Sequence, residues 1–160
     1  MGLKERNRNR LKGYDYGQNG AYFVPVCTHN RQQLLSRIVG EGLCALPQVQ
    51  LTPVGQMVEQ AILHIDHAHP SCSVACYVIM PDHIHLLLQL QSNEKPGGHR
   101  GPPLQTIIRN FKSYTTHCFH GKLWQRSFYD HVIRNEQDYQ EAFTYIQHNP
   151  TRWVDQHKGA

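Results

Sequence analysis

Apolar and polar positions follow two rhythms along the chain. "GAYFVPVCT", residues 20–28, alternates with the two-residue period of a half-buried strand, and Pro25 within it points to a sheet edge or a bulge. Residues 53–68 switch to a helical period. Val54, Met57, Val58, Ala61, Ile62 and Ile65 form one stripe, behind Thr52 as N-cap and Pro53 at the first helical position. Residues 73–80 and 83–90 read as two strands joined at "MPDH", where Pro81 fixes φ and Asp82 can bond local backbone. Residues 91–102 form a polar Gly/Pro stretch, predicted as a mobile loop. A second helix is predicted over 103–120, with Leu104, Ile107, Ile108, Phe111 and Thr115 inward, then a strand over 127–133. The last helix, 135–150, is opened by Asn135 with Asp138 as a cap and stopped at Asn149-Pro150. The order strand, helix, strand, strand, helix, strand, helix predicts an α+β fold: an antiparallel sheet flanked by helices, a ferredoxin-like plait.

Length and composition narrow this further. At 160 residues the chain reads as one domain, 1–160, with a basic N-terminal segment, 1–16. No apolar run approaches the roughly 18 residues of a membrane helix. The charged start has no apolar signal region, and Arg6 stands where myristoylation favours Ser or Thr. Five cysteines, odd in number and without paired CxxC spacings, read as reduced thiols of a cytoplasmic protein. The formal charge of +4 is a mild basic bias, and its distribution says more. Lys4, Arg6, Arg8, Arg10 and Lys12 alternate with polar residues, while Arg100, Arg109, Lys112, Lys122 and Arg126 flank the second helix. Such sets are either solvated faces or phosphate contacts. On the second reading Arg6, Arg8, Arg10, Arg109 and Lys112 meet DNA, with Trp124 or Phe111 as stacking partners unless they pack in the core.

The candidate chemistry begins at "YVIMPDHIHLLLQL", 77–90. Residues two apart in a strand share a face, so His83 and His85 project side by side while Ile84 and Leu86 face apolar packing. Two parallel imidazoles are a ready pair of metal ligands. The last helix offers partners in "FTYIQHNP": Tyr145 and Asn149 lie four apart on one helical face, and His148 is a second candidate for the third ligand. A tyrosine beside a divalent cation has the chemistry of a nucleophile toward phosphate. Tyr114 competes for that role, but its i+4 neighbour is Cys118, which supplies no such ligand.

"MPDHIHLLLQL" resembles the histidine–hydrophobic–histidine (HUH) motif of single-tyrosine transposases. "YIQHNP" resembles the YIxxNP signature of their REP-associated tyrosine transposase branch. "YDYGQNGAYFVPVCTHNR" and "LWQRSFYDHVIRNEQDY" are similar to the same family, and the four stretches stand in the family's order across nearly the whole chain. The resemblance implies an antiparallel sheet flanked by helices. It also implies Mg²⁺ or Mn²⁺ held by His83, His85 and Asn149, and Tyr145 as the nucleophile. The implied reaction is attack on single-stranded or hairpin DNA, forming a 5′-phosphotyrosine link and freeing a 3′-OH that can later rejoin the strands. Dimers and single-chain forms are both compatible with it; no membrane is involved, and the protein is expected in the cytoplasm, on the nucleoid when DNA-bound. After the proline the family tail commonly reads Val-Arg-Ala, whereas here it reads "NPTRWVDQHKGA".

Other chemistries fit less well. Histidine-triad hydrolases need a third alternating histidine where this chain has Leu87, and two-histidine phosphoesterases need paired His-x-Thr/Ser motifs, which are absent. A closed zinc site would use several spaced cysteines. The remaining alternative is a hairpin-DNA-binding regulator of the same fold that does not cleave.

Overall fold

The computed structural model describes residues 20–40, 46–91 and 104–157. The segment 1–16 with Arg6, Arg8 and Arg10, and the loop 91–102 apart from Gln91, lie outside the described residues. The elements are β1 (Gly20–Cys27), β2 (Ser36–Val39), β3 (Gln48–Leu51), α1 (Pro53–Ala68), β4 (Cys72–Ile79), β5 (His83–Leu90), α2 (Leu104–Phe119), β6 (His131–Val132), α3 (Glu136–Gln147) and α4 (Asn149–His157).

The main sheet has the order β4-β5-β1-β6, all neighbours antiparallel. Since β1 and β4 sandwich β5, the connection through α1 is the split crossover of a ferredoxin-like plait. One face of the sheet carries Tyr22, Val24 and Val26 of β1 and Ile84, Leu86 and Leu88 of β5, all fully buried. The expected inward residues of the helices pack there: Val58, Ala61, Ile62 and Ile65 of α1, and Leu104, Ile107, Ile108, Phe111 and Thr115 of α2. Both expected N-caps form: Thr52 Oγ1 accepts from Gly55 N–H at 3.0 Å, and Asn135 Oδ1 from Asp138 N–H at 2.8 Å. Among the described residues no helix is long and apolar enough to cross a membrane.

Three features depart from the expected elements. The hairpin β2–β3 is an addition between β1 and α1, joined Ser36↔Leu51 through Val39↔Gln48. The strand expected over 127–133 shrinks to His131–Val132, and Pro25 gives the reason. Ile133 N–H donates to the Ala21 carbonyl and Gln125 N–H to the Cys27 carbonyl, both at 2.9 Å. Alternate residues of a strand present their backbone groups to the same edge, so Pro25 faces this edge with no N–H to offer. Residues 126–130 leave the ladder opposite it.

The last helix is two helices. Pro150 can neither donate to the ladder nor accommodate the carbonyl four residues back, so α3 ends at Gln147. The same proline suits a helical first turn and opens α4 instead of stopping the chain. The carbonyl of His148 accepts the Arg152 N–H at 3.1 Å, which starts the new ladder.

The turn before His83 is held from several sides. Thr28 N–H donates to the Asp82 carbonyl at 2.9 Å, Leu35 N–H to that of Pro81 at 3.1 Å, and the Ser36 hydroxyl to that of Ile79 at 2.9 Å. Leu35 in turn lies so close to α1 that a Cβ on Gly55 would stand 1.9 Å from its carbonyl oxygen. The start of β5 is therefore fixed by the packing of α1.

Candidate active site

The sheet's second face carries the chemistry. His83 and His85 lie on it with ring centroids 4.6 Å apart, opposite Cys27 and Pro25 of β1. α3 packs on this part of the sheet against β4 and β5 and brings Tyr145 beside His85, centroid to centroid 5.4 Å. Phe23 meets the Tyr145 ring edge-on at 5.8 Å. The helix break does not separate the expected partners. Asn149, buried at the first position of α4, sits between the two imidazoles, with Oδ1 3.4 Å from His83 Nε2 and Nδ2 3.1 Å from His85 Nδ1. His83, His85, Tyr145 and Asn149 line a cleft of about 310 Å³ together with Arg31, Asp82, Arg152, Trp153, Gln156 and His157.

Hydrogen bonds set the protonation pattern. Asp82 Oδ1 lies 2.6 Å from His83 Nδ1, and a carboxylate only accepts, so the Nδ1 proton belongs to His83. Burial pushes the Asp82 carboxyl up, but the bond to His83, its charge and that of Arg31 outweigh this and hold it below the ordinary value. Arg31 Nε reaches Asp82 Oδ2 at 3.2 Å. Asn30 and Arg31 both sit at φ 53°, a left-handed conformation that costs a non-glycine residue about 1 kcal/mol or more. Two consecutive strained residues thus place the guanidinium beneath the carboxylate. Burial, helped by His83, Arg31 and Arg152 and opposed by Asp82, pushes His85 down to about 3, so it is a neutral imidazole at physiological pH.

This pattern suits a cation. With Nδ1 turned to the Asp82 carboxylate, His83 presents Nε2 to Asn149 Oδ1 across 3.4 Å. His85 Nδ1 accepts from the Asn149 amide, so its lone pair also faces inward. Two imidazole nitrogens and one amide oxygen converge, a donor set that would suit Mg²⁺ or Mn²⁺. Among the described residues no three His, Cys, Asp or Glu side chains group for a metal, so a closed zinc centre of those types is not built there.

No family model matches the chain. It is 34% identical over 147 residues to a Haemophilus influenzae protein described as "Putative REP-associated tyrosine transposase", covering 86% of this chain and 74% of that one. The chain belongs to the REP-associated tyrosine transposase family. An Escherichia coli REP-associated tyrosine transposase is 27% identical over 156 residues, covering 96% of this chain and 78% of the relative. An uncharacterized H. influenzae protein is 31% identical over 171 residues, with 95% and 92% covered. Among solved structures, a REP-associated tyrosine transposase bound to a REP hairpin superposes with a TM-score of 0.63 at 27% identity, covering 94% of this chain and 74% of that one.

Within this transposase fold the competing residues lie elsewhere. His148 is exposed at the break between α3 and α4 and does not line the cleft. Tyr114, 60% exposed, lines a groove between α1 and α2 in the helix layer on the far face of the sheet. Trp124 and Phe111 are core residues, and Trp124 Nε1–H donates to the buried Thr115 hydroxyl at 2.7 Å. Arg109 is exposed beside a groove of about 490 Å³ that also holds Lys112, Arg126, Ser113 and Ser127. The Lys112 ammonium, however, donates to the carbonyls of Gln125 and Arg126, and burial lowers its pKa.

The transposase cleft also holds residues that sequence reasoning did not assign to it. Asp82 read as a turn former, and Arg31 is 51 positions away from it with no spacing to link them. The Arg152 guanidinium lies 4.5 Å over the Tyr145 ring, and the tail beyond Pro150 gave no functional signal on its own.

Proposed function

We propose that this protein cuts and rejoins single-stranded DNA at hairpins or palindromic repeats, with Tyr145 as nucleophile and His83, His85 and Asn149 as a Mg²⁺ or Mn²⁺ site. The observation that carries the reading is the convergence of Tyr145 with both imidazoles and the Asn149 amide in one cleft. A REP-associated transposase solved with a REP hairpin supports the hairpin as the DNA partner.

A bound divalent cation would polarise the phosphate oxygens and favour the tyrosine phenolate. The residues themselves position and exclude. Phe23, meeting the Tyr145 ring edge-on, and Arg152, lying over it, fix the phenol relative to the cleft. Tyr145 Oη forms a bond to phosphorus, the P–O3′ bond breaks, and the 3′-oxygen leaves with a proton as a free hydroxyl. The phosphotyrosine ester keeps the energy of the broken bond, so the hydroxyl can reverse the step without a second energy source. Arg109 and Lys112 with their groove neighbour Arg126, and Arg6, Arg8 and Arg10 of the N-terminal segment, hold the backbone phosphates. The assembly is a single chain or a homodimer, and it works in the cytoplasm on nucleoid DNA.

The test is incubation with hairpin-bearing single strands and Mn²⁺. A protein–DNA band that survives denaturation and disappears in EDTA is expected, and His83→Ala should lose it while still shifting the DNA in a native gel. A native shift with no denaturation-resistant band under any metal would make the protein a hairpin-binding regulator instead.

A further inference from the structure

Asn149, Arg152, Trp153, Gln156 and His157 recur at three- and four-residue steps along α4, the spacing of one helical face, and all five line the cleft. Asn149 serves the candidate cation site; the other four are not among its proposed ligands. Trp153 is half-buried, lies outside the hydrophobic core, and has its ring 6.2 Å from that of His83. His157 stacks on it face to face, centroids 4.0 Å apart and planes 16° from parallel. His157 Nδ1–H donates to the Trp153 carbonyl at 2.8 Å, which fixes the imidazole plane at the helix end, where the residue is exposed. The other tryptophan of the chain, Trp124, is buried and bonded to Thr115. A flat ring pair held at the mouth of a cleft, next to a guanidinium lying over Tyr145, matches the two parts of a nucleotide: a π-face for the base and a planar donor fork for its phosphate.

We propose that this face of α4 is a nucleotide subsite: the base adjoining the scissile phosphate stacks on the His157–Trp153 pair while Arg152 holds a phosphate oxygen. This rests on the reading that a single DNA strand enters the cleft. Stacking accepts any base, so the subsite orders the strand at the nucleophile and leaves sequence choice to the hairpin-binding surface. Gln156, one position before His157, offers an amide to the base edge.

The experiment compares binding of labelled short oligo(dA) with an equal-length strand of abasic residues, which keeps the phosphates and lacks the bases. It uses the full chain in EDTA and reads fluorescence anisotropy. The wild type should bind oligo(dA) roughly 5- to 150-fold more tightly than the abasic strand, the range of one base–aromatic stack. His157→Ala and Trp153→Ala should each shrink that ratio by weakening oligo(dA) alone, and Arg152→Gln should weaken both strands alike. His157→Ala alters an exposed side chain, so it carries the test if Trp153→Ala fails to fold, with Trp153→Phe retaining part of the ratio. Equal binding of the two strands by the wild type, or a ratio unchanged in His157→Ala and Trp153→Phe, would overturn the subsite. Cleavage is judged separately by the denaturation-resistant band, so loss of one result leaves the other readable.

Discussion

Asp82→Asn isolates the support beneath the candidate cation site. The carboxylate accepts from His83 Nδ1–H at 2.6 Å and from Arg31 Nε–H at 3.2 Å. Asparagine has one acceptor and one donor group, so its NH₂ must face one of these two donors. One charge-assisted bond is lost, and donor meets donor in a buried place. Bonds to charged groups are worth about 1.5–3 kcal/mol. The Arg31 side chain is 51% exposed, so solvent screening reduces its share, and a stability loss of about 1–2 kcal/mol is expected. The larger consequence is on the metal. A ligand histidine whose second nitrogen loses its carboxylate partner loses orientation and basicity, which typically lowers affinity by about 10–100-fold. Titrating Mn²⁺ and reading the free ion by electron paramagnetic resonance gives the affinity, and urea unfolding gives the stability. Arg31→Ala, which keeps the Asp82–His83 bond, should reduce affinity less. Unchanged Mn²⁺ affinity in Asp82→Asn would refute the claim that Asp82 orients a ligand.

Three further outcomes follow from the geometry. Arg109→Gln with Arg126→Gln should lower the slope of log affinity against log salt for single-stranded DNA by about 1.4, near 0.7 per phosphate contact, and an unchanged slope would mark that groove as merely solvated. Gly55→Ala should destabilise by about 3 kcal/mol or more in chemical unfolding, because its Cβ would stand 1.9 Å from the Leu35 carbonyl oxygen; a neutral result would show that α1 and Leu35 can separate freely. Asp138 is held below the usual carboxylate range by its bond to His131 and by the Arg134 N–H, so its stabilisation is present above the unfolded value of about 3.9 and lost as pH falls through the lower folded one. Asp138→Asn should therefore lower stability near pH 6 and match the wild type once the Asp138 carboxyl is protonated in both the folded and the unfolded state; a deficit that persists in acid would exclude this charge effect.

Sequence periodicity carried the plait because each long element has one strong apolar face. The stripe from Val58 to Ile65 and the set from Leu104 to Thr115 fall where the spacing placed them. The β2–β3 hairpin was not legible: its strands are four residues each, and neither has a fully buried apolar side chain. Pro150 was legible as a break but ambiguous in sense, since proline ends one helix and begins another by the same missing N–H. His83, His85, Tyr145 and Asn149 could be grouped because short-range geometry fixes each pair: two residues apart on a strand, four apart across a helix end. Arg31 and Asp82 meet only through tertiary contact, and the strained backbone at Asn30 and Arg31 leaves no mark in residue spacing. Lys112 likewise bonds the loop carbonyls of Gln125 and Arg126, a tertiary contact that its position on α2 does not indicate.

The central claim is that Tyr145, and not Tyr114, attacks DNA. Tyr145 lies 5.4 Å from His85 in the cleft, while Tyr114 stands on α2 across the sheet. The most direct measurement is the protein–DNA band that persists in detergent, formed with Mn²⁺ and a hairpin-bearing single strand by Tyr145→Phe and Tyr114→Phe proteins. Removing only the Tyr145 hydroxyl should abolish the band while native-gel binding stays, and Tyr114→Phe should form it as the wild type does. A persistent band from Tyr145→Phe, with loss of the band in Tyr114→Phe, would contradict the account and move the nucleophile to the other face of the molecule.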